Sequence, residues 1–337
     1  MGIYVSISVL SWDTELPTTV LSCLQNSSGK NNIEIGVAYI ADQETFDFQM
    51  HHMPGIQSIE NVRIKRFPFE EYWGIGRGRN AAISMYSRQD YFLQVDAHTY
   101  FRRNWDETLI KKYHEAEKMT NNEKTVLTGI PEMYWYPEHL SNHIDFNEEQ
   151  PVGYPYWMTG WWWVEDCVPR WAHRDPTLLT NYLADMVKNT SFAPAIKISG
   201  AFMFGRGHLA GHLRLNEKFV FWEEEIIQSI ELIDKGFTLV YPYMANPMHH
   251  MYVLDSGEEY GPRAHNDIEL KKANIHLDLK DATKKNMADY FQDPRNASKI
   301  LRYQDYAGVY LGDATTKRYF KSSHGVRRHQ YAYINAK

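Results

Sequence analysis

The sequence predicts an α/β fold, a single mostly parallel sheet flanked by helices, with an aromatic-rich insertion and a C-terminal appendage. Three observations predict it. Short β-rich runs alternate with helix-spaced segments from the first residues onward, the order that builds parallel strands with helical crossovers. The 337 residues, 43% of them hydrophobic, suffice for a large buried core. An apolar run from Tyr91 to Val95 stops abruptly at Asp96-Ala97-His98, as a buried strand does where its carboxyl edge meets a ligand.

In order, Ile3 to Leu10 reads as the first strand and Ser11-Trp12-Asp13 as a loop. Pro17 suits an early helical turn, and Val20, Leu21 and Leu24 continue at helical spacing. Ile33 to Ile40 is a second strand. Residues 43 to 60 read as irregular, with His51 and His52 solvated, and Val62 to Phe67 as a short third strand. Trp73 to Asn80 carries Gly74, Gly76 and Gly78 and reads as a glycine turn leading into a helix from Asn80 to Tyr86. After the strand ending at Asp96, Phe101, Trp105, Leu109 and Ile110 begin a helix that the polar stretch Glu115 to Lys124 ends. Val126 to Gly129 is a further strand. The aromatic stretch 131 to 175 is either an insertion lining a groove or a β-meander packed on the sheet. Ile196 to Gly205 is a strand or hairpin. Ile226, Ile227, Ile230 and Ile233 mark a helix from Glu225 to Lys235, and Phe237 to Tyr241 is the last core strand. Past about residue 270 the chain turns polar and lysine-rich, with a helix expected from Asp281 to Phe291. The expected division is a main domain over 1–265, including an insertion over 131–195, and a C-terminal extension over 266–337.

Composition narrows the function. A net charge of -6 argues against nonspecific grip on nucleic acid. Two cysteines, Cys23 and Cys167, make no disulfide framework. With neither a leader pattern nor a long apolar span, the expectation is a cytoplasmic protein without a membrane segment. The sequons at Asn26, Asn189 and Asn296 matter only in a secretory compartment. Aromatic residues reach 14%, with 10 Trp and 23 Tyr, and their flat faces suit sugar rings or bases as well as ordinary cores.

The candidate chemistry lies in a few residues. Asp96 and His98 stand two apart, so on an extended strand they share a face where one divalent cation meets both. The plain alternative is a polar strand end. Gly76, Arg77 and Arg79 precede a helix whose amides favour an anion, and the arginines can bind phosphate, although the segment is neither a Walker motif nor a dinucleotide fingerprint. A glycine turn with two surface arginines is the alternative there. Ser8 and Trp12, where the first strand meets its loop, join the candidate binding set. Glu223, Glu224 and Glu225 are either helix-start acids or partners of a metal site.

Three separated segments carry a family resemblance. They are Tyr72 to Asn80 with Ala81, Ala82 and Tyr86; Tyr91 to His98 followed by Phe101, Trp105-Asp106 and Leu109-Ile110; and Gly200-Ala201-Phe202, then Trp222 to Glu225, then the histidines after Tyr241-Pro242. Over about residues 3 to 255 the chain resembles the N-acetylglucosaminyltransferases that modify hydroxyproline on a cytoplasmic ubiquitin-ligase adaptor, which have a GT-A fold. The resemblance implies a nucleotide-binding sheet, a UDP-GlcNAc-like donor, Mn2+ or Mg2+, and retention. It makes Asp96 the first acid of a metal-binding Asp-x-Asp-like motif, written here Asp96-Ala97-His98 where the family commonly has Asp-Ser-His. It places Arg79 near the diphosphate and Glu223 and Glu224 in a Gly-Glu-Glu region, with Trp222 in place of the glycine. It brings His250 to the metal, with His249 one position away.

The residues agree with that chemistry. A divalent cation neutralises a leaving diphosphate, and Asp96, His98 and a distant histidine form a mixed oxygen and nitrogen set compatible with Mn2+. One of Glu223 to Glu225 orients the acceptor hydroxyl or stabilises positive character on the sugar. The acceptor is a hydroxyl on a protein, a glycan or modified DNA, such as a hydroxymethylated base. Two other classes compete: a noncatalytic carbohydrate-binding protein, and a metal-dependent nuclease or hydrolase.

Overall fold

A computed structural model of the chain describes residues 1–10, 13, 15–68, 75–129, 131–135, 161–165, 168–172, 192–195, 197–215, 217, 223–242, 248–253 and 285–307. Its first half is a parallel unit. Strands β1 (Gly2–Leu10), β2 (Asn32–Ile40), β3 (Val62–Phe67) and β4 (Tyr91–Asp96) lie side by side in the order β3-β2-β1-β4, all parallel. Helices α1 (Leu16–Gln25), α2 (Gln43–His52), α3 (Pro54–Gln57) and α4 (Ile75–Ile83) make the crossovers. Parallel neighbours need such connections, and they bring every carboxyl end to one edge.

Beyond β4 come β5 (Thr99–Phe101), α5 (Trp105–Thr120), β6 (Thr125–Thr128), β7 (Glu132–Trp135), β8 (Trp161–Glu165), β9 (Val168–Ala172), β10 (Phe192–Pro194) and β11 (Phe202–Arg206). Then follow α6 (Glu223–Asp234), β12 (Thr238–Pro242) and β13 (Met248–Val253). The main sheet continues β4-β11-β6-β12-β10, with β11 antiparallel to both neighbours and β12 parallel to β6. The whole sheet is therefore α/β and mostly parallel, but mixed at this end. Separately, β5, β13 and β7 form a three-stranded sheet, and β8 pairs with β9. The rest of the aromatic insertion lies outside the described residues.

Alternation along the strands builds two cores. Ile3, Val5, Ile7 and Val9 of β1 face one side with Tyr91, Leu93 and Val95 of β4, under α1 and α5. Tyr4 and Phe92 face the other, under Ile226, Ile230 and Ile233 of α6. Each such side chain, fully buried, stabilises by roughly 1.5–3 kcal/mol. Two further helices, α7 (residues 285–292) and α8 (Ala297–Ala307), extend the second core through Ile300 and Tyr303. Lys299 of α8 bonds Glu231 at 2.7 Å, and the Leu239 amide donates to Tyr306 Oη at 2.9 Å. This part of the C-terminal extension packs on the body. The expected boundary at 265/266 lies outside the described residues.

Several elements differ from the sequence expectation. Within residues 43–60, expected to be irregular, 43–52 and 54–57 are helical, because the Asp42 side chain caps α2 by accepting from the Thr45 amide at 2.7 Å while Met50, Met53 and Ile56 turn inward. Helix α4 already includes Ile75, so the glycine–arginine segment is helix rather than turn. Gly78 belongs there because a β-carbon would collide with Ser8 Oγ and Ile40 Cδ1, and only glycine lets α4 lie this close to β1 and β2. Phe101 ends β5 instead of starting a helix, and α5 runs on to Thr120.

Candidate functional site

The site grows from one face of two neighbouring strands. The register pairs Tyr4 with Phe92, Ser6 with Gln94 and Ser8 with Asp96. Side chains two apart share a face, so this column changes from aromatic to polar to acidic along the strands. The apolar start is sealed by the second core, and the acidic end reaches the carboxyl edge, where Asp96 remains 26% exposed.

Beneath that edge lies a buried charge network. Arg79 on α4 is 7% exposed and ion-paired with Glu224, whose side chain is fully buried. The second terminal nitrogen of Arg79 lies 3.5 Å from Asp96 Oδ1. Burial works against the charge on Arg79, but Glu224, Asp96 and Glu225 outweigh it and hold the guanidinium protonated. The turn 197–202 closes over this cation. A β-carbon on Gly200 would collide with the Arg79 guanidinium, so the backbone passes where no side chain fits. Glu225 Oε1 accepts from the Gly200 amide at 2.7 Å, and Lys197 Nζ donates to Glu225 Oε2 at 3.2 Å. Gln94 Nε2 donates to the Gly200 carbonyl at 3.1 Å. The first turn of α6 thus holds Arg79 with Glu224 and clamps the loop with Glu225.

Asp96 and His98 do not share an extended strand, because β4 ends at Asp96 and residues 97–98 form a bend. The bend still keeps them together. His98 Nδ1 lies 2.7 Å from Asp13 Oδ2, in the loop after β1. Burial opposes a charged imidazole, but Asp13, Asp96 and Glu15 outweigh it, so His98 titrates above its ordinary range. The late histidines arrive by strand pairing: β13 runs antiparallel to β5, with His250 opposite Thr99 and His249 opposite Tyr100. The backbone of His250 is therefore placed beside the chain just past His98.

The structure brings together Ser8, Arg79, Asp96 and Glu224, with His98 on the adjoining bend. Gly76 is buried in the first turn of α4, and Arg77 beside it is half-buried. Trp12, Trp222 and the side chains of Glu223, His249 and His250 lie outside the described residues. Among the described residues no three His, Cys, Asp or Glu side chains gather as a metal cage. The donor types that do meet, a part-exposed carboxylate and an imidazole, make a mixed oxygen and nitrogen set compatible with Mn2+. Sequence reading passed over Asp13, Gln94 and the clamp by Glu225. Asp13 had a usable signal, an acid in the first loop beyond a strand's carboxyl end. Among the described residues no helix is long and apolar enough to cross a membrane.

Comparisons with known proteins bear on this arrangement. A family model described as Glycosyltransferase (GlcNAc) matches residues 3–260. No curated protein sequence matches the chain. Among solved structures, the chain is similar to a crystal structure of GalNAc-T7 with UDP, GalNAc and Mn2+, at 15% identity and a TM-score of 0.50, over 94% of this chain and 53% of that one. The chain spans about half the length of that structure, and at this identity the likeness is one of fold, the GT-A type of α/β architecture.

Proposed function

The chain belongs to the glycosyltransferase (GlcNAc) family, and from that premise we propose that it moves a GlcNAc-like sugar from a UDP-sugar to a hydroxyl acceptor, with a divalent cation and with retention. The observation that carries this reading is the acidic end of the β1–β4 column. There Ser8 and Asp96 stand over Arg79, beside His98, all within the residues that the family model matches.

When bound, a divalent cation supplies Lewis-acid neutralisation of the leaving diphosphate. Asp96 and His98 would hold it, joined by His250 or by its neighbour His249. Arg79, 3.5 Å from Asp96 Oδ1, orients that carboxylate from below. The first turn of α4, with Gly76 and Arg77, offers amides and a cation to the diphosphate. Ser8 borders the donor side, and donor binding is also assigned to Trp12. Glu224 is committed to Arg79, which leaves to Glu223 the task of orienting the acceptor hydroxyl or facing the positive charge that develops on the sugar. An acceptor on a protein or glycan suits the net charge of -6 better than duplex DNA does.

Turnover of a panel of UDP- and GDP-sugars, followed with Mn2+ and with EDTA, tests the proposal. Release of UDP from one UDP-sugar, lost with EDTA, is expected. Absence of binding and turnover across the panel would remove it. Asp96→Ala should abolish metal-dependent donor binding in a calorimetric titration and leave the protein folded.

A further inference from the structure

Two loops leave the same edge of the sheet from adjacent strands. One follows β1 and carries Asp13; the other follows β4 and carries His98. We infer that Asp13 is a positioning residue that sets the tautomer and ring direction of His98 for cation binding. The inference rests on the reading of Asp96 and His98 as the cation-binding pair.

The geometry is specific at both oxygens of Asp13. Oδ1 accepts from the Glu15 amide at 3.1 Å, which ties the carboxylate to the start of α1. Oδ2 lies 2.7 Å from His98 Nδ1. An ionised carboxylate only accepts hydrogen bonds, so the proton of this contact sits on Nδ1. In the neutral ring the lone pair is then on Nε2, the nitrogen that can serve a metal. Metal-binding histidines commonly use one ring nitrogen as ligand and give the other N–H to a carboxylate, which fixes the ring and raises its basicity. Both side chains are sheltered, 13% exposed for Asp13 and 24% for His98, so water competes little for the contact.

The ring's bend is braced independently. The Thr99 amide donates to Thr19 Oγ1 at 2.9 Å, and Thr99 Oγ1 donates to the Asp96 carbonyl at 2.8 Å. Loss of Asp13 should therefore free the imidazole without dissolving the turn that carries it.

Two measurements on the full chain test the inference. In the metal-free protein at alkaline pH, the 15N spectrum of the imidazole reports which nitrogen holds the proton. The parent should show the Nδ1–H form, and Asp13→Ala should shift towards Nε2–H. Titration with Mn2+ in the presence of UDP should show affinity falling about 10–100-fold in Asp13→Ala. Asp13→Asn should lose less, because its amide oxygen can still accept from Nδ1–H. A purely structural contact would leave the Mn2+ affinity, and this order of variants in it, unmoved. An unchanged tautomer, or unchanged Mn2+ affinity where the parent binds, overturns the positioning role and leaves the cation site standing. A parent that binds no Mn2+ with UDP overturns the cation site itself, and the role of Asp13 falls with it. Should Asp13→Ala fail to fold, the tautomer and affinity of Asp13→Asn decide.

Discussion

Strand β4 has an arginine–carboxylate cluster at each end, and the two clusters differ in burial. At the carboxyl end Arg79 is 7% exposed and Glu224 fully buried. At the amino end Arg206 is 34% and Glu117 21% exposed. The outer pair is richly bonded all the same. Arg206 reaches both Glu117 oxygens at 3.1 Å and lies over the rings of Tyr91 and Tyr113, while His114 bridges Tyr91 and Glu117. By number of contacts the two clusters look alike. Burial separates them, because a charge in a dry site must be compensated, whereas one at the surface can turn to water. The inner cluster is therefore a requirement of the fold around the site, and the outer one a modest brace.

The largest expected effect tests that difference directly. Arg79→Met removes the cation paired with the buried Glu224 carboxylate, and should cost about 3–5 kcal/mol in urea unfolding. If Arg206→Met costs as much, burial is not what distinguishes the clusters. Next comes Gly200→Ala, which pushes a methyl group into the Arg79 guanidinium and should cost about 1–3 kcal/mol of overpacking. It should also weaken donor binding through Asp96, an effect that no change at the outer cluster should produce.

The smallest effect carries a pH signature. Burial raises the Glu117 carboxyl, but the His114 contact and Arg206 outweigh it and hold the group below its ordinary range. A carboxyl depressed in the folded state contributes stability above its unfolded value and loses it as pH falls through the folded one. Glu117→Gln should therefore cost about 1 kcal/mol or less at neutral pH. The deficit should shrink as the solution is made more acidic than the ordinary glutamate range. A deficit that persists undiminished in acid would assign it to packing rather than charge.

Legibility in the sequence followed the range of the interactions. Strands β1, β2 and β4 and helices α1 and α6 were readable because apolar spacing is local and their cores simply follow it. Helix α2 was missed although Asp42 and the Met50–Met53–Ile56 spacing announced it, since the two histidines and the proline drew the reading towards a loop. Arg79 read as a phosphate ligand, with a surface arginine as the alternative, and its burial was not legible. Its carboxylate partner lies 145 positions further on, and no local pattern marks a cation as buried.

The sequence by itself determined strands β1 to β4 with helices α1 and α6, the family match, and the arrival of Asp96 and His98 at a strand's end. Those features rest on periodicity and on residues a few positions apart. Only the tertiary structure decided that Asp13 meets His98 across 85 positions, that Gly200 yields space to Arg79, and that His250 is paired beside Thr99. The physical reason is that a sheet brings distant segments to one edge, and the charge, burial and tautomer of a site depend on neighbours the local chain does not contain.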